Sequence, residues 1–526
     1  MRSLGFPVFA ILLGVMLNAC TVPDNEIAGP DQAGMLGVGR EFPDRYTFET
    51  WVRKHPGGIP DPAIILSFSG GFLHAAALAN GVLKELENYE ICVGQSGSIP
   101  QLPECRWHRL LDHVVIISST SGGSFANANF VANGPDSLES FDNFLLKDLK
   151  LALLSEVAIR PWTWLSALGP VSNRSRFMID LINETILPKS SRDGGDFKFK
   201  DLSYERPFAI FGATDYAAER HFIFTQESFD DLCSDLSKLP VAEAVTASGA
   251  FPFLLTDVEL KSYWSDGCPL TPAPPFDPTK VPINSFNDKQ EFLDERYADS
   301  LRRASFVERD PPVFHGEMVL HLLDGGIADN LAVRPLMRLM TSAEISRSFR
   351  DHTILYIQVN ARSDPATSYA VRDGSPWLWD MATAVPYASL DNDTALSNYA
   401  AFSYWNEMFY WDIGAGQVRK KDDTTFARSM YIAEVDYDQD PDRGRQAKLK
   451  EISGTSLSHT ELTQLYNEAT YLLPHHPCFQ AFLKDMPFML LRGAQRVRGD
   501  GNAGQCSVLK RGEYASPRTP PALLIE

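Results

Sequence analysis

Three short glycine-containing stretches of this chain carry the residue types that ester chemistry needs. In chain order they are Ser69-Gly70-Gly71, Ser119-Thr120-Ser121-Gly122-Gly123 and Asp324-Gly325-Gly326. Each directly follows a run of apolar residues that is typical of a β-strand. Strand ends that emerge along one edge of a sheet can converge, so the three stretches predict one site. Its parts, an anion-binding turn, a nucleophile and a carboxylate base, are those of a serine acyl hydrolase.

Ser121 is the candidate nucleophile. A serine hydroxyl attacks poorly until a base takes its proton, and attack is easier from a tight turn that presents the side chain. The strand before Ser121, the glycines Gly122 and Gly123, and the small residues beyond them favour such a strand-turn-helix elbow. Ser119 stands where elbows of this type usually have their first glycine. Taken alone, this turn is more often a helix cap or a loop.

Asp324 is the candidate base, and Gly70 and Gly71 are the candidate oxyanion donors. Asp324 ends a predicted strand and precedes two glycines, so its carboxylate would lie on a turn that can approach a neighbouring loop. An aspartate can deprotonate serine directly when the two groups come within about 2.6 to 3.2 Å. Gly70 and Gly71 lie between a strand and a helix, where backbone N–H groups and the helix dipole favour an oxyanion.

The elements that must position these residues alternate between strand and helix patterns. Apolar, β-branched runs predict strands at 63–68, 113–118, 207–213, 221–225, 318–323 and 353–359. Helical spacing follows the first two strands and recurs at 458–473. This alternation indicates an α/β fold with a sheet covered on both sides, and a proline-rich stretch at 261–312 indicates an insertion.

Composition and charge narrow the class of protein. The 526 residues are 44% hydrophobic and 11% aromatic, as in globular proteins, and we expect one large domain with insertions rather than two or three units. The net charge of −19 repels phosphate backbones, so nucleic acid is an unexpected partner. The oligomeric state is not predicted.

The first twenty residues are similar to a bacterial lipoprotein leader. Arg2 precedes an apolar stretch at 4–17, and Leu17-Asn18-Ala19-Cys20 places small residues before a cysteine. We expect a signal peptide at 1–19, acylation and membrane attachment at Cys20, and a flexible tether at 20–43. Thr21 resembles the pattern sorted to the outer membrane of the bacterial envelope. An ordinary secretory peptide or a signal anchor stays the alternative.

Six further cysteines predict disulfides rather than a metal site. An even number in an exported protein allows three bridges, and we expect pairing between sequence neighbours. None of them lies in a C-x-x-C arrangement, which disfavours zinc. The six are Cys92, Cys105, Cys233, Cys268, Cys478 and Cys506.

Together, the motifs resemble those of the bacterial patatin-like phospholipases. The stretches that carry the resemblance are 69–77, 81–83, 119–124, 247–252, 324–330 and 359–362, with weaker likeness at 454–473. The resemblance implies a three-layer fold with a mainly parallel central sheet flanked by helices, within a hydrolase domain at 44–480 followed by a C-terminal extension at 481–526. It implies a Ser121–Asp324 dyad that cleaves acyl esters of lipids through an acyl-enzyme, with no catalytic histidine, metal or cofactor.

Two residues depart from the family pattern. Phe72 occupies the place of a third glycine, and His74 stands where arginine or lysine is common. An unperturbed histidine is mostly neutral at pH 7, so a fixed positive charge beside the glycine turn is missing. This leaves two alternatives open, a membrane-tethered scaffold with weak or no activity, and a conventional Ser-Asp-His esterase that uses His352.

Overall fold

The computed structural model describes residues 45–93, 106–149, 151, 174–216, 220–252, 254–263, 319–340, 343–361, 405, 429–452, 454–485, 506 and 508–510. Within them, eleven strands form one nine-stranded sheet and one separate hairpin. The strands are β1 (Ala63–Phe68), β2 (Glu90–Val93), β3 (Arg106–Arg109), β4 (Val114–Thr120), β5 (Phe208–Asp215), β6 (Arg220–Ile223), β7 (Val258–Lys261), β8 (Val319–Asp324), β9 (Thr353–Asn360), β10 (Ser429–Asp436) and β11 (Val508–Lys510).

The centre of the sheet is parallel. The order is β11-β10-β9-β1-β4-β5-β8-β7, with β6 also paired to β5, and the hairpin consists of β2 and β3. β10, β9, β1, β4 and β5 run parallel to one another. All residues of β1 and β4 are buried, which explains why their sequences are continuous apolar runs rather than alternating ones. The predicted α/β class and mainly parallel sheet are confirmed.

The strand that carries Asp324 runs antiparallel to the parallel strands at the centre of the sheet. β8 pairs antiparallel with β5, and Asp324 lies opposite Ala213. Thr120, at the end of β4, lies opposite Gly212, one residue earlier on β5. β4 and β8 therefore approach the same stretch of β5 from opposite directions, and their last residues meet there. Asp324 reaches the site because β5 extends beyond β4 and offers β8 an unpaired segment.

Helices follow the strands and cover the sheet. They are α1 (Phe48–Lys54), α2 (Phe72–Glu87), α3 (Gly122–Asn133), α4 (Asp142–Leu145), α5 (Arg174–Thr185), α6 (Gln226–Asp230), α7 (Val241–Ser248), α8 (Gly326–Asp329), α9 (Arg334–Met340), α10 (Ala343–Ser348), α11 (Arg443–Lys450), α12 (His459–His475) and α13 (Pro477–Asp485). α2 follows β1 and α3 follows β4, as predicted. Asn80 of α2 donates to the Tyr466 hydroxyl of α12 at 2.9 Å, which links the two helices.

The C-terminal part of the chain joins the same sheet. α13 crosses the predicted boundary at 480/481, and β11 pairs antiparallel with β10 at the sheet edge. A disulfide joins Cys478 to Cys506, which confirms that neighbour pairing. Cys233 is also disulfide-bonded. The other predicted pairings involve Cys105 and Cys268, which lie outside the described residues.

Several predicted segments lie outside the described part of the chain. They are the leader at 1–19 with the lipidation residue Cys20, the tether at 20–43, nearly all of the insertion at 261–312 and most of the extension at 481–526. Among the helices that the structure does describe, none combines the length and apolar character needed to cross a membrane.

Candidate active site

Ser121 lies in a strained turn between β4 and α3. Its φ of 48° and ψ of −123° are rare for a residue with a side chain. Its N–H donates to Ser248 Oγ at 2.9 Å, and this hydrogen bond fixes the backbone of the turn. Because the strand stops at Thr120 and the helix starts at Gly122, the serine hydroxyl is presented by the predicted strand-turn-helix elbow.

The glycines after Ser121 are needed for a close approach between two backbones. A Cβ on Gly122 would lie 2.0 Å from the Phe72 carbonyl oxygen, and one on Gly123 would lie 2.6 Å from Phe68 Cβ. The Gly123 N–H donates to the Ser69 carbonyl at 3.2 Å. The nucleophile turn and the glycine turn after β1 therefore interlock, and a side chain at either glycine would separate them.

Ser119, in place of the usual elbow glycine, is accommodated by hydrogen bonds. Its Oγ donates to the Ile210 carbonyl at 3.2 Å and accepts from Asn127 Nδ2 at 2.8 Å. Ser124 Oγ lies 3.1 Å from it and 2.8 Å from Ser248 Oγ. A buried network of small hydroxyls and one amide thus supports the turn.

Asp324 contacts the nucleophile directly. Ser121 Oγ donates to Asp324 Oδ2 at 2.7 Å, and the Gly326 N–H donates to Oδ1 at 2.7 Å. The Asp324 backbone is fixed as well, because its carbonyl accepts from Thr214 Oγ1 at 2.8 Å and its N–H donates to Ala250 at 3.0 Å. The structure therefore brings the predicted nucleophile and base within the distance that direct proton transfer requires.

The pKa of the Asp324 carboxyl is shifted toward neutral pH. Burial raises its pKa from 3.8 to about 6, while the hydrogen bonds from Ser121 and Gly326 oppose that rise. Only 4% of Asp324 and 3% of Ser121 are exposed, so water does little to stabilise the charge. A carboxylate of this pKa is charged at pH 7 and is a stronger base than an ordinary aspartate.

A segment at 248–251 connects the two halves of the site. Ser248 Oγ accepts from the Ser121 N–H, and its carbonyl accepts from the Gly325 N–H at 3.0 Å. Ala250 accepts from Asp324, as described above. Sequence reasoning gave Ser248 no role, although the run of small residues around it was a usable signal.

The glycine turn offers one of the two donors that were predicted. The Gly70 N–H donates to the Asn330 carbonyl at 3.0 Å, so it is already engaged and the expectation that it serves an oxyanion is corrected. Gly71 has φ 139° and, among the residues that the structure describes, its N–H has no hydrogen-bond partner. Asn330 lies just after α8, so the loop that follows Asp324 folds back and occupies the first amide.

Two helices begin at this site. α2 starts directly after Gly71 and has 16 residues, and α3 starts directly after Ser121 and has 12. The aligned peptide dipoles of the two helices place partial positive charge at both turns. Neither first turn contains an acidic side chain. Negative charge that develops on a substrate oxygen here is therefore favoured without a cationic side chain.

His74 is a neutral core residue. It is fully buried, its Nε2 lies 2.8 Å from the Tyr437 hydroxyl, and the two rings stack with centroids 5.2 Å apart. Burial lowers the pKa of His74 to about 4. The residue that replaces the family's usual cation therefore carries no charge at pH 7 and pairs with Tyr437.

His352 is not brought to the site. It precedes β9, and its Nε2 lies 3.0 Å from the Ile59 carbonyl, at the amino-terminal ends of β1 and β9. The opposite end of β9 is the one near the glycine turn, where the Ala361 N–H donates to Ser69 Oγ at 2.9 Å. Eight strand residues separate the two ends, roughly 23 Å at about 3.3 Å per residue.

One group of potential metal ligands occurs among the described residues. Asp257, Glu259 and His321 have ligand atoms within 4.8 Å of one another. His321 Nδ1 already lies 2.5 Å from Asp257 Oδ2, so the two form a hydrogen bond. Side chains of β8 alternate between the two faces, which places His321 and Asp324 on opposite faces of the strand. The group is therefore separate from the Ser121–Asp324 contact.

Solved structures show only distant similarity to this chain. Solved structures similar to the chain include VipD from Legionella pneumophila, at 11% identity over 84% of this chain and 73% of that chain with a TM-score of 0.23. They also include the ExoU–SpcU complex of Pseudomonas aeruginosa, at 13% identity over 66% and 69% with a TM-score of 0.18. No curated protein matches the chain significantly in sequence.

The family assignment rests on a sequence model rather than on these distant structures. The model described as "Patatin-like phospholipase" matches residues 66–337, which is more than half of the chain. That span includes the glycine turn, Ser121 and Asp324, and it ends before His352. The chain therefore belongs to the patatin-like phospholipase family.

Proposed function

We propose that this protein hydrolyses acyl esters of lipids with Ser121 as nucleophile and Asp324 as the only side-chain base. The observation that carries the proposal is the 2.7 Å hydrogen bond from Ser121 Oγ to Asp324 Oδ2 inside a buried elbow. Family membership supports a lipid ester as substrate. The absence of any other titratable group in hydrogen-bond contact with Ser121 Oγ, within the described residues, supports a dyad.

In the acylation step, Ser121 Oγ attacks the ester carbonyl while Asp324 takes the hydroxyl proton. The carbonyl oxygen becomes an oxyanion, and the Gly71 N–H with the first turns of α2 and α3 stabilises it. One such donor lowers a barrier by about 3 kcal/mol. When the tetrahedral intermediate collapses, the C–O bond to the alcohol breaks and Asp324 returns the proton to the leaving oxygen. Ser121 then carries the acyl group.

Water completes the cycle. It attacks the acyl-enzyme carbonyl, Asp324 again accepts a proton, and the same donors hold the oxyanion. Collapse releases the carboxylic acid and returns the proton to Ser121. The carboxyl of Asp324 suits both directions of transfer because its pKa of about 6 lies close to neutral pH.

A catalytically weak scaffold is the second candidate, and His74 is the observation that favours it. The residue at the family's usual cationic position is buried, neutral and hydrogen-bonded to Tyr437. Loss of a cation near the glycine turn would weaken oxyanion binding unless the two helix N-termini compensate. Activity measurements therefore decide between the two candidates.

The test is to treat the purified protein with a fluorophosphonate, which forms a stable bond to activated serines, and to map the adduct by mass spectrometry. We expect labelling at Ser121 that is lost in Ser121→Ala and Asp324→Asn and kept in His352→Ala. No labelling of the folded protein would support the scaffold. Loss in His352→Ala together with the first two would support a conventional triad.

We also propose that the protein is attached to the bacterial envelope, with the outer membrane as its site, through an acylated Cys20. The residues Leu17-Asn18-Ala19-Cys20 support this proposal, and each buried methylene of an acyl chain contributes about 0.8 kcal/mol to membrane binding. In cells that make the protein, Cys20→Ala is expected to move it from the membrane fraction to the soluble fraction. Membrane retention of that variant, with an unacylated N-terminus, would contradict the proposal.

A further inference from the structure

Phe72 has a backbone conformation that suits glycine. Its φ is 53°, in the left-handed region where a bulky side chain is rare. This is the position where the family usually has a third glycine, which would adopt the conformation without strain. A strained residue at a functional site persists only where its surroundings hold it in place. The phenyl ring at this position therefore needs a physical reason.

The surroundings of Phe72 place it beside the nucleophile. Its backbone lies against Gly122, so close that a Cβ there would be 2.5 Å from the Phe72 nitrogen and 2.0 Å from its carbonyl oxygen. Gly454 contacts it from another side, with a Cβ there 3.2 Å from Phe72 Cβ. The next residue, Leu73, donates its N–H to the Gly454 carbonyl at 2.9 Å, which fixes the start of α2.

The ring of Phe72 meets a second aromatic ring that belongs to the base's side of the site. Phe72 and Phe251 pack edge to face with centroids 5.7 Å apart. Phe251 directly follows Ala250, the acceptor of the Asp324 N–H. The aromatic pair thus joins the backbone that supports the oxyanion turn to the backbone that supports Asp324.

The pair also lies close to the nucleophile. Phe72 is 9% exposed and Phe251 is 8% exposed, while Ser121 and Asp324 are nearly covered. Phe72 directly follows Gly71, whose N–H has no hydrogen-bond partner among the described residues, and the Phe72 backbone contacts Gly122. The two rings are therefore an apolar surface next to the place where an ester carbonyl would meet Ser121. A rigid aromatic wall next to a nucleophile discriminates by size, and one methylene in an apolar site changes kcat/KM by about 10-fold or more.

We propose that Phe72 and Phe251 form the wall of the acyl-group site and restrict this enzyme to esters with short acyl chains. The inference rests on the proposed function, since it assigns the substrate class of the same Ser121 site. In this account, Phe72 and Phe251 determine the substrate specificity. Phe72 puts a large ring where the family's usual glycine has only a hydrogen atom, and its strained backbone conformation accompanies that placement.

The test compares kcat/KM for p-nitrophenyl butyrate and p-nitrophenyl laurate, both below micelle-forming concentrations. Wild-type protein is expected to prefer the butyrate. Phe72→Gly removes the ring at a backbone position that glycine fits, and we expect it to raise the laurate-to-butyrate ratio at least about tenfold. Phe251→Leu should raise the same ratio by about threefold. Phe349→Leu is the matched control, because it removes a buried ring just before β9, at the end of that strand away from the site. It should leave the ratio unchanged.

The outcomes separate the two proposals. Hydrolysis that depends on Ser121, with a ratio unchanged in both Phe72→Gly and Phe251→Leu, would overturn the acyl-wall inference alone. A wild-type protein that hydrolyses neither ester and takes no fluorophosphonate at Ser121 would overturn the proposed function and the inference with it. If Phe72→Gly does not fold, the ratio in Phe251→Leu decides.

Discussion

The pKa values of two buried aspartates of this protein are shifted in opposite directions. Asp324, beside Ser121, is 4% exposed, and burial raises its pKa to about 6. Asp440 is 2% exposed, and burial acts on it in the same direction, but the Arg445 guanidinium and the Asp442 N–H outweigh that effect and lower its pKa. Arg445 Nη2 donates to Asp440 Oδ1 at 2.5 Å, and Nε donates to Oδ2.

The difference lies in the partners rather than in the burial. Asp324 receives hydrogen bonds from one hydroxyl and one backbone N–H, both neutral, so its charge is only partly compensated. Asp440 has a cation, which makes it a poor base and a good structural link between the segment after β10 and α11. A buried carboxylate without a cation is unfavourable for folding and favourable for proton transfer, and that combination is typical of catalytic groups.

The largest expected effect is on catalysis by Asp324→Asn. The amide cannot accept the Ser121 proton, so kcat/KM should fall by about 10³-fold or more. Asp440→Asn, at a similar depth, should leave kcat/KM within about threefold because that carboxylate is only a structural group. Ester hydrolysis by the two purified variants checks the contrast. Equal losses in both would mean that fold damage, not the missing base, explains the result.

The two substitutions should change the free energy of unfolding in opposite directions. The native Asp324 carboxyl keeps its proton to a higher pH than in the unfolded chain, so its contribution to stability falls as the pH rises from 3.8 to about 6. Above pH 6 the ionised group is therefore destabilising, and Asp324→Asn should raise the free energy of unfolding by about 2 kcal/mol at pH 8.

Asp440→Asn should instead lower the free energy of unfolding. It leaves the partly exposed Arg445 with a weaker partner, at a cost of about 1 to 2 kcal/mol. Denaturant unfolding of both variants at pH 8 and pH 5 is the measurement. The gain from Asp324→Asn should shrink at pH 5, where the wild-type carboxyl is mostly protonated. A loss of stability in both variants would contradict the comparison.

The smallest effect concerns the hydrogen bond that connects the two regions. The Tyr437 hydroxyl lies 2.8 Å from His74 Nε2, and the Tyr437 carbonyl accepts from the Asp440 N–H at 3.1 Å. Tyr437→Phe removes the first bond and keeps the ring stack, so unfolding should become easier by about 1 kcal/mol. The kcat/KM should stay within about twofold of wild type, since His74 is not in the reaction. A tenfold loss would give His74 a part in catalysis.

The sequence predicted which residues form the site better than how the fold brings them together. Continuous apolar runs marked β1 and β4 because both are buried on two faces, and the glycines after them marked the interlocking turns. The direction of β8 was not predictable, since an apolar run reads the same whether the strand is parallel or antiparallel. Only pairing with the overhanging end of β5 determines where Asp324 lies.

Residues that act through tertiary contacts gave little local signal. The engagement of the Gly70 N–H depends on Asn330, 260 positions later in the chain, and no local pattern encodes that contact. Ser248 supports Ser121 across 127 positions. β10 was missed because its half-buried sequence lacks the long apolar run that marked β1 and β4. The strain at Phe72 was visible in outline only, as a large residue at a glycine position.

The most direct test of the dyad is the rate of fluorophosphonate labelling at Ser121 as a function of pH. Since Asp324 must be ionised to take the serine proton, the rate should rise with pH through a single transition near pH 6 and then level off. Asp324→Asn should show no such transition and almost no labelling at any pH. A rate in wild type that is independent of pH between 4 and 8, or one that Asp324→Asn leaves intact, would contradict the assignment of Asp324 as the base.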